Sequence, residues 1–371
     1  MSKTADILFV APFNHDHGTE RITSHVIRLA STKYERIALV YSGGHGDLFK
    51  SAAASVEMVF SLGNQDRRAN VFRNALYITA KACILRPRVV FAVNPVMGMS
   101  VGLALKLLPD PFRPFSILAH HVFPRQRNDP VETKRMMEYF PMFDRHVVVS
   151  PAMIGGLMPY IGGKLDRVTC IPNAIDAAAI RRDVRAGAVN MNLPDHDWRC
   201  LYVGGLRTDK RVDRLIRAFA LLPERKRTVL FLVGDGNART RLEHLAKDLG
   251  VAERCIFVGH QARPFQWARD CDLFVQTPDW ETFGLSVLEA MSAGLPVLTM
   301  GDNSPGLQDL VRDGINGRLI ASGDIGEFAL AWSDLLNSPE QRKLIVQQGN
   351  ETVRHYSLDK MCARYMRLLS I

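Results

Sequence analysis

The sequence DWETFGLSVLEAM, residues 279–291, joins an apolar run to a helical segment through a single glycine. The apolar run before it, residues 272–276, predicts a strand, and residues 286–293 predict a helix. Two carboxylates, Glu281 and Glu289, flank the turn with seven residues between them. Backbone N–H groups at such a helix start are unpaired and attract an anion. Two interpretations stay open: an acidic helix start favoured by the helix dipole, or a site for a ligand with phosphate and hydroxyl groups, such as a sugar nucleotide.

On both sides of this stretch, apolar runs rich in β-branched residues alternate with helical segments. The predicted strands cover residues 6–11, 36–41, 55–61, 89–93, 115–119 and 145–149 in the first half, and 200–203, 228–233, 255–258, 272–276 and 296–299 in the second. This alternation is typical of parallel sheets with helices on both faces. The pattern lapses between residues 170 and 197, which predicts a linker. We therefore expect two α/β domains, with ligands at the carboxyl ends of their strands, facing a cleft.

Three glycine turns end predicted strands of the second half, at residues 203–205, 233–236 and 258–259. Glycine lets a ligand approach the backbone closely. A tight-turn role explains any one of these glycines, whereas three turns at one sheet edge favour a ligand site. None of them is a G-x-G-x-x-G fingerprint, so a nicotinamide or flavin cofactor has no support.

The composition is that of a globular protein. The six cysteines include no C-x-x-C pair and no metal-ligand spacing, which favours buried thiols in a cytosolic protein. Residues 7–10 form too short an apolar run for a signal peptide. Residues 89–105 carry no charge, but they are interrupted by Asn94 and Pro95 and are short for a membrane span, so they predict a strand, a turn and a helix. We expect a cytoplasmic protein.

The formal net charge of +9 is concentrated in one stretch, because residues 67–109 hold seven Lys or Arg and no Asp or Glu. A helix predicted over residues 69–85 would carry Arg73, Tyr77 and Lys81 along one side. Another side of this helix would carry Phe72, Ala75, Leu76, Thr79 and Cys83. Three interpretations of the basic side stay open: contact with an anionic membrane surface, with a phosphorylated acceptor, or with water alone. Nucleic acid is not expected as a partner.

Taken together, these motifs resemble the retaining glycosyltransferases of the GT-B fold, the glycosyltransferase family 4-like enzymes also called glycosyl transferases group 1. The resemblance covers nearly the whole chain and is densest over residues 201–319. It is carried by the two glutamates around Phe-Gly and by three segments: YVGGLRTDKRVDRLIRAF, VGDGNARTRLEHLAKDLGVAERCIFVGH and GDNSPGLQDLVRDGINGRLI. It implies a GT-B architecture of two Rossmann-like doubly wound domains: an acceptor-side domain over residues 1–178, completed by a helix over 355–371, and a donor-binding domain over 179–354.

The resemblance also implies roles for individual residues. His120, Glu281 and Lys210 would be catalytic: His120 orients the sugar, Glu281 binds its hydroxyls, and Lys210 stabilises the diphosphate. Arg207 would be a second cationic partner of the diphosphate, and Glu289 would bind the ribose hydroxyls of a UDP- or GDP-sugar. The remaining donor-binding positions are Gly18, Gly204, Gly234, Phe283, Gly284 and Leu285.

The chain departs from the family pattern at several positions. Gly205 stands where an arginine often follows the first glycine of the donor loop, His121 where an aspartate commonly follows the histidine, and Ala174 where a glycine is expected in an Asn-Gly-x-Asp turn. The base, the sugar and the acceptor therefore stay open.

The expected reaction moves a hexosyl unit from a nucleoside diphosphate sugar to a hydroxyl of a glycan, lipid-linked or small-molecule acceptor, with retention at the anomeric carbon. A polyprenyl-phosphate glycan or a lipopolysaccharide core would fit the basic surface, and peripheral attachment to the inner face of the membrane is part of that expectation. No Asp-x-Asp motif stands near a strand end and cationic residues can replace a divalent ion, so neither a metal nor another cofactor is expected. Two alternatives are a sugar-nucleotide epimerase of the same architecture and a non-catalytic protein that binds anionic lipid.

Overall fold

The structure is a computed structural model, and it describes residues 5–13, 18–44, 46–63, 70–122, 130–187 and 194–370. Residues 14–17, which directly precede the predicted donor-binding residue Gly18, and Arg67 and Arg68 of the basic stretch lie outside the described residues. The chain divides into two compact units, Met1–Asn173 with Asp359–Ile371, and Ala174–Leu358. Among the described residues, no helix is both long and apolar enough to cross a bilayer.

The first unit is built on a parallel sheet of seven strands. These are β1 (Ile7–Phe13), β2 (Ile37–Gly43), β3 (Met58–Ser61), β4 (Val89–Val93), β5 (Phe115–His120), β6 (Arg145–Val148) and β7 (Val168–Cys170). Its helices are α1 (Gly18–Ser31), α2 (Asp47–Ala53), α3 (Val71–Leu85), α4 (Asn94–Leu107), α5 (Pro130–Tyr139) and α6 (Met153–Leu157). The strand order is β3-β2-β1-β4-β5-β6-β7. Ile7 of β1 pairs with Ile37 on one side and with Val89 on the other, so strand order reverses beside β1.

The second unit repeats the plan with six parallel strands. They are β8 (Trp198–Val203), β9 (Thr228–Val233), β10 (Cys255–Gly259), β11 (Leu273–Gln276), β12 (Val297–Met300) and β13 (Arg318–Ile320), in the order β10-β9-β8-β11-β12-β13. Its helices are α7 (Ala177–Ala186), α8 (Val212–Leu221), α9 (Arg239–Asp248), α10 (Leu285–Ser292), α11 (Pro305–Leu310), α12 (Ile325–Asn337) and α13 (Pro339–His355). The last helix, α14 (Leu358–Leu369), lies almost wholly in the first unit. The predicted fold class, two Rossmann-like parallel sheets with helices, is confirmed.

The core of each sheet follows from strands that are apolar along their whole length. Every residue of β4 (VVFAV) and of β9 (TVLFLV) is buried, as expected for strands with helices over both faces. In the second unit, Trp332 of α12 packs on Phe219 of α8 with ring centroids 5.7 Å apart. The indole N–H of Trp332 donates to the Sγ of Cys200 in β8 at 3.2 Å, which satisfies the one polar group that this ring brings into the core.

The stretch predicted as a linker contains the boundary between the two units, and it also holds a helix. Strand β7 ends at Cys170, and α7 follows over ten residues with Asp176 as its N-cap. The Asp176 carboxylate accepts a hydrogen bond from the N–H of Ala179 at 2.8 Å. Ile180 is the only buried residue of the ten in α7, and four of the ten are charged, so the helix has the composition of a polar connecting segment.

Helix α3 also differs from its prediction. Its buried residues are Val71, Asn74, Ala75, Ile78, Ala82 and Leu85. Phe72 and Leu76, which were expected on the same side of the helix as Ala75, are exposed, whereas Ala75 is buried. The buried side is therefore centred on small and β-branched residues, and larger apolar side chains face outward.

Replacing Asp176 with Ala should loosen α7 without unfolding the second unit. The loss of an N-cap hydrogen bond costs about 1 kcal/mol, which corresponds to roughly fivefold faster amide exchange within the helix. Hydrogen exchange read by mass spectrometry over residues 177–186 checks this. The variant Asp324→Ala removes the equivalent cap of α12, where Asp324 accepts from Glu327 at 2.7 Å, and should leave α7 unchanged. Equal exchange in α7 of the wild type and Asp176→Ala would contradict the capping role.

Candidate active site

The candidate site lies where strand order reverses in the second unit. The chain runs outward from β8 to β9 and β10, then returns to place β11 on the other side of β8. The segments that leave the carboxyl ends of β8 and β11 therefore start side by side. In open parallel sheets this switch point is the usual position of a ligand crevice.

At this switch point the structure brings Lys210 and Glu281 together. Lys210 follows β8, Glu281 follows β11, and the Lys210 ammonium donates a hydrogen bond to a carboxylate oxygen of Glu281. Their side chains keep 22% and 16% exposure, so the pair is shielded but still reachable from solvent. The contact joins positions 71 residues apart in sequence.

Two further bonds hold the loops that carry this pair. The N–H of Asp279 donates to the carbonyl of Asp209 at 3.0 Å, and the hydroxyl of Thr277 donates to the carbonyl of Arg211 at 2.9 Å. Arg211 adopts φ 47°, a left-handed conformation that is uncommon outside glycine. Its guanidinium donates to both carboxylate oxygens of Asp213 at 3.1 Å. The backbone around Lys210 is therefore held from both loops.

Arg207 makes its own ion pair beside the site. Its guanidinium donates to both oxygens of Asp209, at 2.9 and 2.7 Å. This hydrogen bonding raises the pKa of Arg207. Burial acts to raise the pKa of Asp209, but the bonds from Arg207 outweigh it, and the pKa of Asp209 is lowered overall. Arg207 also folds over Gly205, where a Cβ would lie 3.5 Å from the Arg207 Cγ. Both groups are thus charged and mutually oriented.

Gly204 and Gly234 let two strand ends approach closely. A Cβ on Gly234, at φ 143°, would lie 1.9 Å from the carbonyl oxygen of Gly204, and a Cβ on Gly204 would lie 2.6 Å from the hydroxyl of Tyr202. The Tyr202 hydroxyl donates to the carbonyl of Gly205 at 3.1 Å. Both glycines are therefore required by packing alone, and their predicted contacts with a donor stay predictions.

The second glutamate lies on α10, which begins after Gly284 at φ 97°. Phe283 is buried with its ring 5.4 Å from that of Tyr356, so only its backbone can serve a ligand. Leu285 opens the helix, and Glu289 stands four residues later on the same side, with its side chain directed back toward the helix start. Glu289 is buried, which suits a carboxylate that binds hydroxyl groups out of water.

The start of α10 is fixed by a polar chain and by one glycine of the next loop. Ser286 donates to the side-chain oxygen of Gln276 at 3.0 Å, and the Gln276 amide donates to Thr299 at 3.2 Å. The N–H of Gly306 donates to the carbonyl of Glu281 at 3.2 Å. A Cβ on Gly306 would lie 2.2 Å from the carbonyl atoms of Thr282. Neither Gln276 nor Gly306 was predicted as a site position: Gln276 lies in the predicted strand 272–276, and Gly306 lies in the segment GDNSPGLQDLVRDGINGRLI that carries the resemblance.

Two predicted site residues, His120 and Gly18, lie in the first unit. Gly18 is the first residue of α1, directly after residues outside the described part of the chain. His120 ends β5 and is fully buried: its Nε2 lies 3.1 Å from Nδ1 of His146, and its ring centroid is 5.3 Å from that of Phe140. One imidazole N–H donates to the other ring nitrogen. The predicted contact of His120 with the sugar stays a prediction.

Burial depresses the pKa values of three histidines at this edge. Desolvation, reinforced by the neighbouring imidazoles, holds the pKa of His120 well below its usual value. Desolvation lowers the pKa of His121 to about 4, partly offset by a hydrogen bond with Asn173. It also lowers the pKa of His146 to about 4, partly offset by the Phe140 backbone. None of these rings is charged at neutral pH.

The sequence of the second unit matches a known family. Residues 189–352 match the model of Glycosyl transferases group 1. Residues 189–352 belong to this family. The resemblance inferred from the motifs is therefore confirmed for the unit that carries Lys210, Glu281 and Glu289.

Curated relatives of the group 1 domain carry glycosyltransferase names. D-inositol 3-phosphate glycosyltransferase 2 of Catenulispora acidiphila is 31% identical over 244 residues, which is 62% of this chain and 56% of that protein. The lipopolysaccharide core biosynthesis glycosyltransferase LpsE of Rhizobium meliloti is 37% identical over 159 residues, 42% of this chain and 45% of that protein. The chain thus spans about half the length of the curated relatives it matches.

Solved structures show that the fold extends over both units. HepE of Anabaena in complex with UDP and glucose matches with a TM-score of 0.80 at 18% identity, covering 99% of each chain. WaaG, a glycosyltransferase involved in lipopolysaccharide biosynthesis, matches with a TM-score of 0.74 at 18% identity, covering 98% of this chain and 99% of that one. At these identities the likeness establishes the fold, which is that of the GT-B glycosyltransferases.

Gly306→Ala should destabilise the second unit, because the new methyl group would meet backbone atoms of Thr282 and Phe283 that cannot move independently. Overpacking of this kind costs on the order of 1–3 kcal/mol. All four tryptophans lie in this unit, so urea unfolding followed by tryptophan fluorescence reports on it. The matched variant Gly205→Ala, whose Cβ would meet its nearest neighbour at an ordinary 3.5 Å, should unfold like the wild type. Identical midpoints for both variants would refute the packing argument.

The first unit should lose stability in mild acid. A histidine with a pKa near 4 when folded binds a proton more weakly than the unfolded chain does, so its stabilisation is complete above about pH 6.5 and is lost as pH falls toward 4. At pH 5 the cost is roughly 2 kcal/mol for each such imidazole. Hydrogen exchange in β5 and β6 at pH 7.5 and pH 5, corrected for intrinsic rates, measures it. The second unit has no buried histidine among its described residues, so β8 and β9 are the internal control. Equal protection loss in both sheets would contradict this account.

Proposed function

We propose that the chain is a retaining glycosyltransferase that moves a hexosyl unit from a nucleoside diphosphate sugar to a hydroxyl group of a glycan, lipid-linked or small-molecule acceptor. The family of the second unit and the names of its relatives support the transferase class. HepE, crystallised with UDP and glucose, supports a nucleotide-sugar donor by analogy of fold. The relatives named above give no support to an epimerase or to a non-catalytic lipid-binding protein.

The observation that carries the proposal is the contact of Lys210 with Glu281 at the switch point of the group 1 domain. In a nucleoside diphosphate sugar, the charged β-phosphate is bonded through oxygen to the anomeric carbon, and the sugar hydroxyls are carried by the other carbons of the same sugar. A protein that binds both needs a cation and a hydroxyl acceptor side by side. Lys210 and Glu281 meet this requirement, and the start of α10 adds backbone N–H groups for the phosphates.

The residues divide the work as follows. Lys210, supported by the Arg207 pair, stabilises the negative charge that grows on the departing diphosphate. Glu281 holds the sugar hydroxyls, and Glu289 binds the ribose from one helical turn further on. Transfer with retention proceeds by front-face attack, in which the leaving diphosphate accepts the proton of the acceptor hydroxyl. Because fixed cations replace a divalent ion, full activity in EDTA is expected, and its loss would refute metal independence.

Nucleotide binding is the first test. A ligand at a hundredfold excess over its dissociation constant stabilises the folded state by about 2.7 kcal/mol, which a thermal shift detects readily. Screening UDP, GDP, ADP and TDP should give one clear shift that identifies the base. Incubation of donor with and without candidate acceptors, followed by NMR of the anomeric proton, then reports transfer and its stereochemistry. Isomerisation of donor alone would favour the epimerase, and the absence of any nucleotide shift would reject both enzymes.

Substitutions at the site should separate binding from turnover. Lys210→Ala should lower kcat by about a hundredfold or more, because a charge stabilised in the transition state is lost. Glu281→Gln should lower kcat and raise KM, whereas Glu289→Gln should mainly raise the donor KM. Lys247→Ala, an exposed lysine on α9, is the matched control and should behave as wild type. If Lys210→Ala keeps its kcat while its thermal stability is unchanged, Lys210 has no catalytic role.

A further inference from the structure

Helix α3 presents large apolar side chains to solvent. Phe72 is 63% exposed, Leu76 48% and Ile84 63%, although the opposite side of the same helix is buried in the first unit. They stand at positions i, i+4 and i+12, with Ala80 at i+8, and so form one stripe over three turns. Single exposed apolar residues are ordinary, but an ordered stripe of this kind marks a contact surface.

Basic residues accompany this stripe. Arg73 is exposed between Phe72 and Leu76, and Lys81 lies further along the same helix. The Lys81 ammonium lies 3.8 Å from the ring centroid of Phe60 and 5.3 Å from that of Tyr77. These cation–π contacts keep the Lys81 ammonium beside the apolar stripe. Beyond the helix, Arg86 and Arg88 are exposed as well.

The charged residues of α3 and of the chain that follows it through α4 have one sign. Between residues 70 and 109 the sequence contains five Lys or Arg and no Asp or Glu. A protein partner would have to cover these basic groups, whereas the cores of protein interfaces are depleted of charged residues other than arginine. An anionic bilayer accepts both features at once, since apolar side chains enter the acyl boundary while basic groups stay among the headgroups.

We propose that the outer side of α3 docks on an anionic lipid bilayer, with Phe72, Leu76 and Ile84 entering the interface and Arg73 and Lys81 contacting the headgroups. The attachment is peripheral, because α3 has only 15 residues and charged groups on its outer side. This proposal does not depend on the proposed transferase activity, and its test contains no activity measurement.

Vesicle sedimentation tests the proposal with the full-length chain. The wild type should sediment with vesicles of phosphatidylcholine and phosphatidylglycerol in about equal parts and stay in the supernatant with phosphatidylcholine alone. The variant Phe72→Gln/Leu76→Gln/Ile84→Gln should bind at least about tenfold more weakly, since three interfacial side chains are lost. The variant Arg73→Gln/Lys81→Gln should bind more weakly and with a smaller salt dependence.

A matched control uses three leucines of the second unit that are equally exposed on helices. Leu221 is 58% exposed, Leu330 66% and Leu344 62%, and their triple substitution by Gln should leave vesicle binding unchanged. Circular dichroism and thermal unfolding verify that each variant folds, which is expected because every changed side chain lies at the surface.

Three results would overturn the proposal. The wild type could fail to bind the anionic vesicles, or the α3 triple variant could bind as tightly as the leucine control. The third is a wild-type dimer in light scattering that the α3 substitutions dissociate, which would assign this face to a second copy of the chain.

Discussion

The pairing of β11 with β8 is the constraint on which the candidate site depends. Leu273 and Phe274 pair with Cys200 and Leu201, so the chain after each strand leaves from the same edge of the sheet. The bond from Asp279 to the carbonyl of Asp209 then fixes the distance between the two loops. Without this pairing, Lys210 and Glu281 would be remote groups on two unrelated turns. With this pairing, Lys210 contacts Glu281, and the start of α10 follows four residues after Glu281 in the same loop.

Charges around that point are arranged in pairs rather than left isolated. Arg207 bonds Asp209, Arg211 bonds Asp213, and Arg214 lies 3.2 Å from Asp302. Partly exposed ion pairs contribute little to the free energy of unfolding, so their main effect is positional. Each pair holds a long side chain in one conformation. These side chains therefore lose their conformational entropy when the protein folds, and ligand binding does not have to order them again. Gly204, Gly234 and Gly306 contribute to the same order in the backbone, because each allows a close contact that a Cβ would block.

The first unit combines an apolar sheet with an unusual polar edge. His120 and His146 share one hydrogen bond inside the core, where Phe140 and Phe143 surround them. Such a pair is stable only while both rings are neutral, because a buried imidazolium would lack compensating charge. The same unit exposes apolar residues on α3. It therefore departs twice from the usual distribution, in which polar groups are exposed and apolar groups are buried: once at the buried histidine pair and once on α3. Packing of the sheet itself does not require either feature.

Sequence patterns determined the parallel α/β architecture and the glycine turns at strand ends, because these depend on local periodicity and on residues close in the chain. The spacing of Glu281 and Glu289 left two interpretations open, and Lys210 was assigned only through the family resemblance. The boundary between the two units, at residues 173 and 174, lies within the predicted linker, but helix α7 in the same stretch was not predicted, because only Ile180 of its ten residues is buried. The exposed side of α3 and the burial of His120 depended on which neighbours the sheet places against them. Contacts between residues far apart in sequence, such as Lys210 with Glu281 and Gly306 with Thr282, were decided only by the tertiary structure, because strand order determines which loops meet and no local pattern encodes it.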